Sequence, residues 1–98
     1  MSKLFATFMY PMDDPDAFKV DTDMKASYVP DVIEAYLQDV MSAGKDATPA
    51  KELEVYHITL EIDLTDDTIT VTYDCGNKGL LAGILMDILG RLHAPHGA

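Results

Sequence analysis

One predicted strand carries a line of side chains that can take part in chemistry. His57, Thr59 and Glu61 alternate with apolar residues, and alternate residues of an extended strand project from the same face. His57 is the acid–base candidate, because histidine changes its charge near neutral pH. No metal site is predicted, because His57 and Glu61 have no evident third ligand. The structural alternative is an ordinary solvent-facing strand.

The same predicted face extends onto the neighbouring strands. Threonines point outward on the strand that follows, and apolar residues point outward on the first strand of the chain. A face of this mixed kind is typical of a contact surface, although threonine is also common on ordinary strands. The candidate sheet-face interface contains these residues: Phe5, Met9, His57, Thr59, Glu61, Thr70 and Thr72.

A second candidate interface lies on the last predicted helix. Small residues and one methionine occupy the side opposite its leucine-rich stripe. Glycine lowers helix stability by about 1 kcal/mol relative to alanine, so this pattern favours close packing against another helix or subunit. The alternative is glycine that is merely tolerated or that serves the helix ends. The candidate helix strip contains Gly79, Ala82, Gly83, Met86 and Gly90.

Three further patterns favour structural roles. The aspartates between residues 13 and 23 lack the central glycine and closing glutamate of a calcium loop. Asn77 stands between glycines, where it predicts a helix N-cap rather than a phosphate loop. Cys75 shares the strand parity of Tyr73, so we predict that it is a small buried hydrophobe. No Ser-His-Asp or Cys-His set occurs at a recognisable spacing. We therefore predict no catalytic residues and no cofactor, and an enzyme is the less favoured class.

The first half of the chain predicts the elements that position these residues. Residues 3–10 form a strand with two mostly apolar faces, which indicates the interior of a sheet covered on both sides. Residues 17–25 alternate as a strand. The alternative there is a helix with Asp14 as its N-cap and Pro15 at its first position. The strand places these residues inward: Phe18, Val20, Thr22 and Met24.

A helix follows, with Pro30 at its start and Gly44 as its left-handed cap. Its apolar stripe is predicted to contain Val32, Ile33, Tyr36, Leu37, Val40 and Met41.

The second half predicts a hairpin and another helix. Residues 53–64 and 68–75 alternate as two antiparallel strands, and residues 79–92 repeat the paired apolar spacing of the first helix. We therefore predict a hairpin followed by a helix twice, as a shared architecture and not as a repeat, because the residue identities do not match. Inward residues of the hairpin are Tyr56, Ile58, Leu60, Ile62, Leu64, Ile69, Val71 and Tyr73. The last helix buries Leu80, Leu81, Ile84, Leu85, Ile88, Leu89 and Leu92.

The order of elements is β-β-α-β-β-α, or β-α-β-β-α if residues 17–25 are helical. Two helices must bury their stripes on a single sheet. We therefore predict a two-layer α+β sandwich, with an antiparallel-dominated sheet and two helices on one face. Residues 1–92 form one domain and residues 93–98 a flexible C-terminal tail.

Charge and targeting patterns narrow the classes of function. Seventeen acidic residues stand against seven lysines and arginines, for a net charge of -10. Direct nucleic-acid binding is not expected, because it depends on basic side chains that displace counterions. The N-terminus lacks the pattern of a signal peptide, no apolar stretch reaches membrane-spanning length, and one cysteine gives no evidence of secretion. These patterns predict a cytoplasmic location without membrane contact.

The opening segment also shows a family resemblance over about a third of the chain. Residues 4–11 (LFATFMYP), residues 14–18 (DPDAF) and residues 28–30 (YVP) resemble the start of EthD-like dimeric α+β-barrel proteins. The resemblance implies a helix at residues 17–28 and a closing strand at the C-terminus. The chain itself predicts a C-terminal helix, and Tyr28-Val29 replaces the histidine usual before that family's proline. No functional residue is carried over.

These observations favour a small acidic protein-binding module that acts as a regulator, inhibitor or accessory factor. A homodimer is expected, because two contact strips are predicted. A specific version is an inhibitor of a basic, nucleic-acid-handling protein, with carboxylates competing for the sites of phosphates. The alternative is a small-ligand-binding protein or enzyme of dimeric α+β type, with a pocket near His57.

Overall fold

The computed structural model describes residues 2–44 and 48–93, with only the backbone of residue 93. Four strands and two helices follow one another as a hairpin, a helix, a second hairpin and a second helix. Their bounds are β1 (Lys3–Pro11), β2 (Lys19–Thr22), α1 (Tyr28–Ser42), β3 (Val55–Asp63), β4 (Thr68–Tyr73) and α2 (Lys78–His93). The predicted tail begins at the last residue of α2, and residues 94–98 lie outside the described residues.

The strands form one antiparallel sheet in the order β2-β1-β3-β4. Both helices pack on the same face of this sheet, which confirms the predicted two-layer α+β sandwich. β1 lies inside the sheet, as predicted, but the described residues cover only one of its faces, so the prediction that both are covered is wrong for this part of the chain. Phe5 and Met9 on its second face remain 43% and 39% exposed.

The two hairpin–helix halves are arranged around the central strand pair. β1 and β3 run antiparallel with Thr7 opposite Thr59, and the strands that follow each of them form the two edges. A pseudo-two-fold axis between these threonines therefore relates β1 to β3 and β2 to β4. By this relation Val20, which is opposite Phe8, is equivalent to Val71, which is opposite Leu60.

The segment of residues 17–25 and the turn before it have features of both predicted structures, the strand and the helix. Lys19–Thr22 is a strand, and Met24 is buried beyond it as the period-two pattern predicted. Immediately before it, Pro15–Ala17 forms one 3-10 turn that starts after Asp14. The proline and aspartate thus start a helical turn that the alternating residues do not continue. The helix at residues 17–28 implied by the EthD-like resemblance is absent, and the described part of the C-terminus, Lys78–His93, is a helix where the resemblance implied a strand.

Helix α1 buries most of its predicted stripe against the sheet. It begins at Tyr28, two residues before Pro30, and Gly44 follows its end with a φ of +88°. Met41 was predicted in the stripe, but it is 66% exposed because Val40 is the last residue of the helix that the core covers. The buried residues are Val29, Val32, Ile33, Tyr36, Leu37 and Val40.

The core continues into the second half of the chain. There, one residue predicted to be buried is exposed at a strand end, and three residues of the helix are buried less than predicted. β3 stops at Asp63, so Leu64 lies in a turn and is 45% exposed rather than inward. The predicted stripe of α2 is only partly buried in its outer members, Leu80, Leu89 and Leu92. Fully buried aliphatic residues of this half include Ile58, Leu60, Leu81, Leu85 and Ile88.

A short polar cluster fixes α2 to the start of the chain. The Tyr10 hydroxyl donates a hydrogen bond to the Asp87 carboxylate, which also accepts one from Arg91 Nε at 2.9 Å. Arg91 Nη1 also donates a hydrogen bond to the carboxylate of Asp16, which lies in the 3-10 turn. Burial, reinforced by Asp87, raises the pKa of Tyr10 to about 12. The hydrogen bonds from Tyr10 and Arg91 lower the pKa of Asp87.

This cluster predicts a specific response to alkaline pH. The raised pKa of Tyr10 stabilises the folded state fully below pH 10, and this stabilisation is lost as the pH rises towards 12. At pH 8 we expect Tyr10→Phe to lower the free energy of unfolding by about 1 kcal/mol, through loss of the hydrogen bond. Between pH 8 and pH 11 the gap between the two proteins should narrow, because only the wild type loses the Tyr10 contribution. Urea unfolding followed by circular dichroism at both pH values measures the gap, and a constant gap would contradict the assignment.

Candidate functional site

The second face of the sheet is uncovered by the described chain, and we call it the open face. It contains the odd-numbered residues of β1 and β3, because the even-numbered residues point into the core. Strand pairing brings the predicted sheet-face residues together on it. Phe5 is opposite Glu61, Met9 is opposite His57, and Glu61 is opposite Thr70. Thr59 is opposite Thr72. Whether this surface is an interface stays a prediction.

Two threonines lie at the centre of the open face. Thr7 Oγ1 and Thr59 Oγ1 are 3.2 Å apart and share a hydrogen bond across the central strand pair. The two exposed apolar side chains, Phe5 and Met9, flank Thr7 on the same strand. The centre of the open face is therefore weakly polar, with one large apolar side chain on each side of it.

His57 lies beside an acidic partner at one end of the open face. The backbone N–H of His57 donates to Asp74 Oδ1 at 2.9 Å, and His57 Nδ1 lies 3.3 Å from Asp74 Oδ2. The imidazole is 57% exposed. Its Nε2 has no partner among the described residues, so it is the ring nitrogen available to a ligand.

A shallow depression of about 340 Å³ adjoins His57. It opens to solvent and mixes charged with apolar groups. Its lining residues are Thr7, Met9, Lys19, Val20, Asp21 and His57. This shape suits a protruding side chain of a partner better than a sequestered reaction.

Carboxylates dominate the charge around the open face. Two lysines, Lys3 and Lys19, stand on β1 and β2. Five acidic residues occupy the same face and its edges: Asp21, Asp23, Glu61, Asp63 and Asp74. The Asp23 carboxylate accepts a hydrogen bond from Phe5 N at 2.8 Å, which holds this acidic group against β1 just beyond the end of β2.

The predicted helix strip is divided by the structure. Ala82 is only 8% exposed and lies in the core, so its placement opposite the leucine stripe is wrong. Gly79, Gly83 and Gly90 are exposed, and Met86 is 52% exposed. At Gly79 a Cβ atom would approach Asn77 Oδ1 to 2.9 Å, so this glycine leaves room for the helix cap. Packing of the remaining strip against a partner stays a prediction.

The loop before α2 has the structural roles expected from its sequence. Asn77 Oδ1 accepts a hydrogen bond from Leu80 N at 3.0 Å, which is the geometry of an N-cap. Gly76 has a φ of +76°. Cys75 is fully buried, and burial raises the pKa of its thiol.

The described part of the chain was also considered for a metal site and for a membrane-spanning helix, and it contains neither. Within residues 2–44 and 48–92, no group of three or more histidine, cysteine or acidic side chains could hold a metal ion. Neither helix, over the part of the chain described, is long and apolar enough to cross a membrane. Comparison of the chain with known protein families, with characterised proteins and with solved structures gives no match.

Several charged residues of the open face were missing from the predicted site, among them Lys19, Asp21 and Asp74. Asp74 has the same strand parity as Thr70 and Thr72, so extending the alternation by one residue could have included it. Lys19 and Asp21 were predicted to face water. Their position beside Met9 and Thr7 depends on the pairing of β2 with β1, which the sequence pattern does not specify.

Proposed function

We propose that the protein is a small acidic binding module whose open face contacts a basic protein. The observation that carries this proposal is the exposure of Phe5 and Met9 on a rigid sheet, 43% and 39%, within a rim of carboxylates. Apolar anchors surrounded by polar groups are the usual arrangement of energetically important contacts. Because both side chains are attached to an interior strand, the backbone that carries them is already ordered before a partner covers them.

The charge around the open face favours a basic partner over a second copy of this chain. Two copies brought face to face would bring together two surfaces that each carry five carboxylates and only two lysines, which is unfavourable. A lysine- or arginine-rich surface with an apolar protrusion complements both the rim and the anchors. Charge complementarity would also speed encounter at low salt.

The test compares anchor variants with a matched pair elsewhere on the surface. Phe5→Ala/Met9→Ala removes both open-face anchors, and Met41→Ala/Met86→Ala removes two exposed methionines from the helical layer. Each protein serves as bait in host lysates, and captured proteins are identified, purified and titrated calorimetrically. We expect a basic partner whose affinity falls at least about tenfold with the first pair only. Equal losses with both pairs, or no salt-sensitive partner in any lysate, would contradict the proposal.

The electrostatic part has its own matched comparison. Asp21→Asn/Glu61→Gln and Asp31→Asn/Asp39→Asn each remove two negative charges, from the open face and from α1 respectively. The open-face pair should slow association with the purified partner and flatten its salt dependence. If the partner binds nucleic acid through the same surface, added duplex DNA should displace the module from it. That competition is the expectation for the inhibitor version.

A second candidate function is small-ligand binding in the depression beside His57. His57 lines this depression, and the contact of its Nδ1 with Asp74 leaves Nε2 as the ring nitrogen that can donate to or accept from a ligand. Screening of small polar metabolites by NMR should then shift resonances of Thr7, Met9 and His57 together. A His57→Ala protein that retains every such ligand contact would exclude this function.

A further inference from the structure

The two edge strands of the sheet are equivalent by internal symmetry but differ in protection. β2 has only four residues, and its open-face positions are Lys19 and Asp21. β4 has six residues, Thr68–Tyr73, with no charge and no proline. Natural proteins protect edge strands by keeping them short or charged. β2 has both protections, and β4 has neither.

The hydrogen-bonding groups on the free side of β4 can be identified from the ladder. His57 directs its backbone N–H towards Asp74, on the β4 side of β3. Because these groups alternate along antiparallel strands, Thr59 and Glu61 bond to Thr72 and Thr70, their partners in register. The remaining strand residues therefore direct N–H and C=O outward, and these groups have no partner among the described residues. They belong to Ile69, Val71 and Tyr73.

The outer side of the chain just beyond β4 is already covered. Cys75 has the same parity as Tyr73, and its C=O accepts a hydrogen bond from Lys51 N at 2.8 Å. This bond agrees with the outward direction assigned to the odd-numbered residues. It also limits the open edge to the strand itself, with room for a partner of similar length.

We propose that a second copy of the chain pairs its β4 antiparallel with β4, which joins two sheets into one of eight strands. An uncharged strand can lie beside its own copy without like-charge repulsion, despite the net charge of -10. The two-fold axis would stand perpendicular to the sheet. All four helices would then cover one side, and both open faces would lie on the other. This proposal does not depend on the proposed function of the open face.

One register satisfies the edge best. With Val71 opposite Val71 of the second copy, and Ile69 opposite the partner's Tyr73, three residue pairs each exchange two hydrogen bonds. Thr70 then lies opposite the partner's Thr72. A shift by two residues leaves two bonded strand pairs in either direction. In one direction it places Asp66 opposite the partner's Asp74, which is unfavourable. In the other it places Ile69 opposite the partner's Cys75, whose C=O already accepts a hydrogen bond from Lys51 N.

Proline substitution at equivalent positions of the two edges provides the main test. Val71→Pro removes an outward N–H at the two-fold axis without removing a β3–β4 ladder bond, a position where edge strands tolerate proline. Val20→Pro is the same change at the equivalent position of β2. Light scattering over a concentration series should give about twice 10.8 kDa for the wild type and for Val20→Pro. For Val71→Pro it should give 10.8 kDa, with an unchanged circular dichroism spectrum.

A cysteine cross-link tests the same register in a protein with an intact edge. Val71→Cys places two thiols across the axis at a Cα separation of about 5.5 Å, within disulfide range. A mild added oxidant should convert it to a reducible covalent dimer and leave Val20→Cys monomeric on denaturing gels. A wild type that is monomeric up to its solubility limit would overturn the proposal. So would a dimer in which Val71→Cys does not cross-link.

Discussion

Leu85→Ala is expected to destabilise the fold severely. The Leu85 side chain is fully buried in α2 and belongs to the same core as Phe8 and Leu60. Truncation removes its transfer free energy and leaves a cavity, at a combined cost of about 2–5 kcal/mol. The total stability of a domain is only about 5–15 kcal/mol. Each kcal/mol lost should lower the melting temperature by about 4–8 °C. Urea unfolding followed by circular dichroism measures the difference from the wild type.

The adjacent residue supplies the control for this prediction. Met86 follows Leu85 on the same helix but is 52% exposed. Met86→Ala changes side-chain volume at the same point of the chain, and its effect should stay within about 0.5 kcal/mol. Similar losses for the two variants would mean that α2 is not docked on the sheet. The same measurement therefore tests whether the final helix completes the core.

The sequence predicted the architecture because the alternation typical of strands and the paired apolar residues typical of helices seldom occur in the same segment. Alternation gives β3 and β4 their faces, and paired apolar residues give both helices their stripes. The errors occur where an element ends. Leu64 and Met41 continue their patterns past the last residue that the core can cover. Ala82 was assigned to the wrong side of α2 because small residues surround the helix and weaken the contrast between its faces.

The order of the strands in the sheet could not be predicted from local sequence patterns. Pairing of β1 with β3 joins residues about fifty positions apart, and neither hairpin specifies which of its strands becomes central. The candidate open face could be listed because each residue's parity is local. The charged neighbours Lys19, Asp21 and Asp74, and the contrast between the two edges, follow only from the order β2-β1-β3-β4.

Gly76→Ala should be the most harmful of three glycine substitutions in this chain. Gly76 has a φ of +76°, and a Cβ atom there would lie 3.1 Å from Lys51 Cγ and 3.3 Å from the Pro49 carbonyl oxygen. Backbone strain and contact with residues 48–54, the described part of the linker between α1 and β3, act together, so we expect a loss of about 2–3 kcal/mol. The hydrogen bond from the Lys51 N–H to the Cys75 carbonyl holds this segment beside Gly76.

Two other glycines separate the conformational cost from the steric one. Gly44 also has a positive φ, +88°, but a Cβ atom there meets nothing within 4 Å, so Gly44→Ala should lose only about 1 kcal/mol. Gly83 lies within α2, and its Cβ position is also open, so Gly83→Ala should gain about 0.5–1 kcal/mol through helix propensity. Urea unfolding of the three variants should therefore give a large loss, a small loss and a gain. Equal losses at Gly76 and Gly44 would show that the linker does not pack against the Cys75–Gly76 turn, since only that contact distinguishes them.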